Sequence, residues 1–354
     1  MNKVKINFYI KKFLNEWLLI STIIGVITTS VILKRIPLYS KNDFEILFIL
    51  FMLFVIIKGL ENSNFFEIIS NQIKNIKFFG VWIILITAIL SMFITNDVAL
   101  LIIVPLTLQL NVKNKNLLII LEALAVNAGS ALSPFGNPQN IFIYWFYNVK
   151  FFKFLKTIFP FTAFSLLLLL IISSFINFQQ IKIVNVTRKL KKEFYIYLVF
   201  LIIFILIIFR ILPVYTGIIP LVYTILFSRK NLKIDYILIL IFFFFFGFTD
   251  NLKNLINLKI ENSHNVFILS ALISQFLSNV PTALLFSDFT KNWQALLWGV
   301  NVGGYGTIIG SLANLIAYRF YMNFKEDKTF FLKFNLFSFL FYFFNIIFYL
   351  RFLS

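Results

Sequence analysis

The fold class this sequence predicts is an all-α polytopic membrane protein, and three observations carry the prediction. Apolar runs near the length of a bilayer recur from end to end, charged residues gather between them, and two runs are interrupted midway by short polar residues. Of 354 residues, 60% are hydrophobic and 13% charged, with a mean hydropathy of +0.91. A soluble domain of this length needs far more polar surface than that. A helix needs about 20 apolar residues to cross a bilayer. Candidate segments are 13–33, 44–60, 78–110, 117–147, 157–178, 193–210, 213–228, 234–250, 264–290, 294–321 and 330–350. The first follows Lys3, Lys5, Lys11 and Lys12 without a small-residue cleavage site, so it reads as a retained helix rather than a signal peptide.

Composition also excludes function classes. Cysteine is absent and histidine occurs once, at His264. Disulfides, thiolate chemistry and imidazole-based transition-metal or haem sites are therefore not expected. The net charge of +18 does not imply nucleic acid, because the lysines fall in loops, where positive residues set topology. That field also favours an anionic solute.

The most basic connection, 179–192, holds Lys182, Arg188, Lys189, Lys191 and Lys192 and is expected to be cytoplasmic. The N-terminal lysines, Arg229 with Lys230 and Lys233, and Lys325 with Lys328 are expected on the same side. These places agree only if 78–110 and 264–290 each enter and leave on one face, the first open to the cytoplasm and the second to the outside. The loop with Lys34, Arg35 and Lys41 then falls outside and fits this count poorly.

Those two segments carry the interruptions, Thr95-Asn96-Asp97 and Ser278-Asn279-Val280-Pro281-Thr282. Polar residues at that depth are costly in lipid, and unwound backbone survives there only against protein or a water-filled cavity. Each segment thus reads as a re-entrant hairpin with a polar tip.

The halves also match each other. Asn127, Gly129, Gly136, Asn140 and Tyr144 align without gaps on Asn301, Gly303, Gly310, Asn314 and Tyr318, at a constant offset of 174, and Ser133 aligns on Thr307. Upstream, Phe93, Thr95 and Asn96 align on Phe276, Ser278 and Asn279, with a shorter connection in the second half. The expected organisation is an N-terminal repeat, 1–178, with a hairpin at 78–110 and a broken helix at 117–147. The linker 179–192 leads to a C-terminal repeat, 193–354, with a hairpin at 264–290 and a broken helix at 294–321. Opposite entry of the hairpins makes this an inverted-topology repeat, which binds solute near the midplane between discontinuous helices. The breaks fall at Gly136-Asn137-Pro138 and Gly310-Ser311, where glycine frees the backbone and proline removes a donor. Half-helix N-termini beyond each break suit an anion, and carbonyls at the opposite ends suit a cation.

Thr95-Asn96-Asp97, Gly136-Asn137-Pro138-Gln139-Asn140, Ser278-Asn279-Val280-Pro281-Thr282 and Asn301-Val302-Gly303-Gly304 through Asn314 resemble, in this order, the motifs of the ion transporter superfamily. That superfamily includes arsenical-pump-like permeases, divalent anion:sodium symporters, citrate permeases and a sodium/proton antiporter branch. The sequence is most similar to its small anion permeases, over nearly the whole chain. The resemblance implies substrate and sodium contacts from Thr95 and Asn96 at one tip and from Ser278 and Asn279 at the other. The symporter-type break corresponds to Gly136 through Asn140. Asp97 departs from the symporter pattern, as does Val280-Pro281-Thr282, and asparagine-aspartate tips are closer to the arsenical-pump and antiporter branches.

The candidate substrate-binding residues are Thr95, Asn96, Asn137, Asn140, Ser278, Asn279, Thr282 and Asn314. Those assigned to a coupling ion are Asp97, Gly136, Ser133, Thr307, Gly310 and Ser311. Asp97 is a proton carrier or sodium ligand on one reading and a cap of the following half-helix on the other. Asn96 and Asn279 either bind solute or satisfy hairpin backbone. Asn140 and Asn314 are ligands or helix-to-helix hydrogen bonders. Gly129, Gly303 and Gly304 point to close helix packing. Glu122 is expected near solvent at the start of a span. Asp250, His264 and Asp288 are expected at span ends, and Arg319 is expected to snorkel to the cytoplasmic face rather than to pair with a substrate carboxylate.

The expected function is secondary active transport of a small inorganic or organic anion by alternating access, coupled to sodium or protons. Sodium/proton antiport and arsenite or antimonite efflux share the fold. A membrane-embedded enzyme is disfavoured, because Asp97 has no obvious second aspartate and the loops are short. No cofactor is expected beyond the coupling ion, with sodium placed near Asp97. The expected setting is the cytoplasmic membrane, with the N-terminus inside. The expected partners are the anion and the lipid bilayer, with a homodimer compatible with the fold and no nucleic acid.

Overall fold

The computed structural model describes residues 17–64, 79–109, 111–176, 178, 180–182, 190–234, 236–255, 260–325 and 327–352. The N-terminal lysines, the start of the first span and most of the basic linker, Arg188 and Lys189 included, lie outside them. In chain order the helices are α1 Trp17–Leu33, α2 Lys41–Asn62, α3 Phe79–Phe93, α4 Asn96–Gln109 and α5 Lys115–Ala131. Next come α6 Pro138–Phe146, α7 Phe151–Phe175, α8 Glu193–Ile208, α9 Ile218–Phe227 and α10 Tyr236–Leu255. The last five are α11 Ser263–Leu277, α12 Asn279–Ser287, α13 Trp293–Gly303, α14 Leu312–Phe324 and α15 Lys328–Phe352. Among the described residues the only strands are Asn111–Val112 and Gln180–Lys182, paired antiparallel.

This all-helical architecture is that of a multi-pass membrane protein. With no water in the bilayer core, each segment must satisfy its own backbone, and a helix does so. Among the described residues three helices, α7, α10 and α15, are long and apolar enough to cross. Large apolar side chains stand bare on the outer helices, as at Val31, Phe175, Phe227 and Leu332. Such a continuous exposed surface fits lipid, not water. The interior helices α5 and α13 are instead buried from Leu118 to Ala131 and from Ala295 to Gly303.

Local signals explain where helices begin. Ser40 caps α2 in a capping box, its hydroxyl accepting from the Asp43 amide at 3.2 Å while the Asp43 carboxylate accepts from the Ser40 amide at 2.7 Å. Asn137 caps α6, with Pro138 at the first helical position, where a missing amide costs nothing. Asn262 caps α11 in the same manner.

Helix packing repeats between the halves. The most extensive contacts are α3 on α5 and α11 on α13. Across the halves, α4 packs on α14 and α12 packs on α6. The close approaches correspond too. A Cβ at Gly129 would meet the Ala88 carbonyl oxygen at 2.2 Å, and one at Gly303 would meet the Ser274 Cβ at 2.4 Å. Gly129 and Gly303 are packing residues, as their sequence reading held.

The hairpin interruptions are narrower than the sequence suggested. The first comprises Ile94 and Thr95, so Asn96 and Asp97 already belong to α4. The second is Ser278 alone. Val280, Pro281 and Thr282 form the first turn of α12, where proline breaks no helical hydrogen bond. Glu122 is a further correction. It is wholly buried within α5 rather than near solvent, because α5 begins seven residues earlier and is enclosed on all sides.

Candidate functional site

Each interrupted segment touches the break of the long helix beside it. The Asn96 amide donates to the Gly136 carbonyl at 2.9 Å, and the Ser278 hydroxyl donates to the Gly310 carbonyl at 3.4 Å. Ser133 donates to the Met92 carbonyl at 2.7 Å, and Thr307 to the Gln275 carbonyl at 2.9 Å. Gly136 is required where it stands, since a Cβ there would lie 2.2 Å from the Ser130 carbonyl oxygen. Ser278 holds φ at 74°, a conformation L residues adopt rarely, so the second tip is a strained turn.

Beneath the tips, four asparagines join the halves. Asn127 of α5 donates to the Asn314 side-chain oxygen at 2.8 Å, and Asn301 of α13 donates to the Asn140 side-chain oxygen at 2.9 Å. Ser311 donates to Asn127 at 3.1 Å, and Asn137 donates to Asn301 at 3.3 Å. Asn140 donates to the carbonyls of Ser130 and Ser133, and Asn314 to those of Gly304 and Thr307. Each bond has its counterpart at the offset of 174. The side chains are buried, so every bond replaces an expensive unmade one. The arrangement fixes where the two breaks cross.

Above this crossing is a cavity of about 360 Å³. Asn96, Asp97, Ser278, Asn279 and Ser311 all line it, and with Pro138 and Leu312 they bring the N-terminal ends of α4, α6, α12 and α14 to one space. The positive dipole ends at such termini favour a negative group. Leu101, Ile237, Leu238, Ile241, Leu315 and Ile316 add aliphatic walls. Among the described residues, Asp97 and Arg319 are the only charged ones in the lining. Among the described residues, no cluster of three or more acidic, histidine or cysteine side chains offers a metal site.

The other candidates lie outside the cavity lining. Thr95 is buried behind the first tip, and Thr282 turns back to donate to the Ser278 carbonyl at 2.8 Å. Asn137, Asn140 and Asn314 are bound up in the crossing, while Ser133, Gly136, Thr307 and Gly310 tie tips to breaks. Two polar residues of the lining were not selected from sequence. Gln139, 1% exposed, has a buried side-chain oxygen without a hydrogen-bond partner. Its place between Pro138 and Asn140 was the available signal. Arg319 lies eight residues beyond Ser311 on α14, so its side chain lines the cavity.

Residues 13–299 match the citrate transporter family. A Methanocaldococcus jannaschii protein described as an uncharacterized transporter is 38% identical over 299 residues, covering 81% of this chain and 84% of the relative. The Escherichia coli inner membrane protein YbiR is 32% identical over 315 residues, covering 84% of each. Interrupted helices meeting at a polar cavity, a family match over most of the chain and relatives aligned along most of their length agree: this chain belongs to the citrate transporter family, within the ion transporter superfamily, and is a membrane transporter.

Proposed function

We propose that the chain is a secondary active transporter of a small anion across the cytoplasmic membrane, coupled to sodium or protons and working by alternating access. The observation that carries this reading is the single cavity lined by both hairpin tips and by the N-terminal ends of four helices. Asn96, Ser278 and Asn279 contact the anion, and Thr95, Thr282 and the Asn137, Asn140 and Asn314 crossing hold those contacts in place. Asp97 takes the coupling cation, with oxygens around Ser133, Gly136, Thr307, Gly310 and Ser311 completing sodium sites. A bound cation removes the repulsion between Asp97 and the anion.

The chain divides into inverted repeats at 1–178 and 193–354. At about 1.5 Å per residue, α3 and α12 each fall short of a hydrocarbon core about 30 Å thick, which favours re-entrant hairpins over spans. With the N-terminus inside, Lys191, Arg229 and Lys230 share the cytoplasmic end; Lys191 donates to the Asn62 carbonyl and Lys230 to Glu193. The basic loop that counts against this orientation is partly neutralised, Arg35 by Asp250 and Lys41 by Glu45. Asp97 in the lining supports a second reading, sodium/proton antiport or arsenite efflux on the same fold.

Uptake by the reconstituted full chain, assayed over a panel of anions with and without sodium or a pH gradient, tests both readings. The proposal expects saturable, cation-dependent anion uptake, abolished in Asn96→Ala and Asn279→Ala, and uncoupled in Asp97→Asn. Sodium/proton exchange without movement of any anion would establish the second reading instead.

A further inference from the structure

A second cavity, of about 580 Å³, lies away from the hairpin tips. Its lining comes from α7, α11, α13 and α15 and shares no residue with the solute cavity. The floor is buried: Ala295 and Trp298 are each 2% exposed and Tyr349 is 7% exposed. The Trp298 ring nitrogen donates to the Thr157 carbonyl at 2.8 Å, and Tyr349 stacks on Phe267 with ring centres 3.8 Å apart. The rim is basic and polar. Lys153 and Lys156 stand one turn apart on α7, Ser263 begins α11, and Asn292 and Gln294 flank the start of α13.

We infer that this cavity binds a phosphate group at the membrane surface, carried by a phospholipid head or free in solution. Three features carry the inference. First, the Tyr349 hydroxyl has no hydrogen-bond partner among the described residues, although the side chain is nine-tenths buried. Unlike the Tyr342 hydroxyl, which is unpartnered but fully enclosed, it stays accessible from the cavity. A phenol is a donor, and what completes it is an acceptor such as a phosphate oxygen. Second, the charge is of one sign. Among the described residues no acidic side chain lines the cavity, and neither Lys153 nor Lys156 meets a carboxylate. The Lys153 ammonium is held over the Trp293 ring, 5.6 Å from its centre. The positive ends of α7, α11 and α13 add to the same field. Donors on three helices, from Lys153 and Lys156, Ser263 and Tyr349, thus surround one space, which suits a compact anion with several acceptor oxygens. Third, the place is a head-group level. α7 and α15 are long and apolar enough to cross a bilayer, and the cavity lies at their ends. Beneath it they are joined by Phe164 on Phe348 at 4.3 Å and by Ser165 donating to Asn345 at 3.0 Å. Phe159 on α7 and Ile347 on α15 stand exposed nearby and offer apolar surface to acyl chains.

The test has two arms on the full chain in detergent micelles. Native mass spectrometry follows binding of phosphatidylglycerol and of phosphatidylcholine. Thermal unfolding compares inorganic phosphate with chloride at equal ionic strength. Phosphatidylglycerol is expected to bind about tenfold or more tighter than phosphatidylcholine. Lys153→Gln with Lys156→Gln should weaken it about 30-fold, at about fivefold per lysine. Tyr349→Phe, which keeps the ring on Phe267, should weaken it about tenfold. Equal binding of the two lipids, together with a stabilisation by inorganic phosphate that these same variants lose, would support the site with free phosphate as its source. Asn96→Ala, at the solute cavity, should leave both arms unchanged. No preference for phosphatidylglycerol and no phosphate-specific stabilisation would overturn the assignment. So would binding that survives in the lysine and tyrosine variants but is lost in Asn96→Ala, since the phosphate would then sit in the solute cavity.

Discussion

Replacing Asn127 by alanine removes three hydrogen bonds from the crossing: its donations to Asn314 at 2.8 Å and to the Gly304 carbonyl at 3.3 Å, and the bond it accepts from Ser311 at 3.1 Å. Interhelical hydrogen bonds in membrane proteins average about 0.6 kcal/mol, and a buried group left unpaired adds about 1–3 kcal/mol. With three such bonds lost, the substitution should therefore cost about 3–5 kcal/mol. Asn301→Ala removes three bonds as well, to Asn140 at 2.9 Å, to the Leu297 carbonyl at 2.8 Å and from Asn137 at 3.3 Å, and should cost about the same. The informative measurement is a double-mutant cycle read by reversible unfolding in mixed micelles. Asn127→Ala with Asn314→Ala should couple by about 0.5–1.5 kcal/mol, as should Asn301→Ala with Asn140→Ala. Asn127→Ala with Asn140→Ala, which share no bond, should add within about 0.5 kcal/mol. Additivity in both cross-half pairs, or strong coupling only within a half, would refute the crossing as the element joining the two breaks.

Three further outcomes follow from the packing. Gly129→Val and Gly303→Val should each abolish a monodisperse gel-filtration peak, because the nearest atoms are 2.2 and 2.4 Å from the new Cβ, whereas Gly304→Ala, at 3.2 Å, should retain it. Glu122→Gln should keep or raise the melting temperature. One carboxylate oxygen of Glu122 is buried without a partner and the other accepts from Thr107, so a neutral amide fits where a charge is costly. Asp250→Ala should cost about 1 kcal/mol, less at high salt, since Asp250 pairs with Arg35 and accepts from the Leu38 amide at 2.9 Å while both ionic side chains stay 25% exposed. Unfolding in mixed micelles at two salt concentrations measures that loss.

Much of the fold was legible because a bilayer imposes coarse rules that composition obeys. The apolar runs, the glycines of close approach and the asparagines at 127, 140, 301 and 314 all stood out against phenylalanine and isoleucine. Their offset of 174 singled out the four residues that bond across the halves, though each bond joins non-equivalent positions, Asn127 to Asn314 and Asn301 to Asn140. Extents and depths were less legible. Val280-Pro281-Thr282 looks like a break but forms a helical first turn, since a helix tolerates proline there. Glu122 looked peripheral because nothing in its neighbours shows that α4 encloses it through Thr107. Gln139 was masked by the asparagines on either side, and Arg319 by the ease with which a long basic side chain reaches an interface. Which polar residues face the cavity and which are spent on one another depends on the crossing geometry, which spacing alone does not encode.

The central claim is that the two hairpin tips share one solute pocket, and the absence of native cysteine allows a direct measurement. Leu101→Cys on α4 and Val280→Cys on α12 both place a thiol in the cavity lining. The rate of maleimide labelling is then followed as an anion is added. The account predicts that one anion slows labelling at both positions, with the same half-maximal concentration. Protection at one position alone, or at concentrations that differ widely between the two, would contradict it.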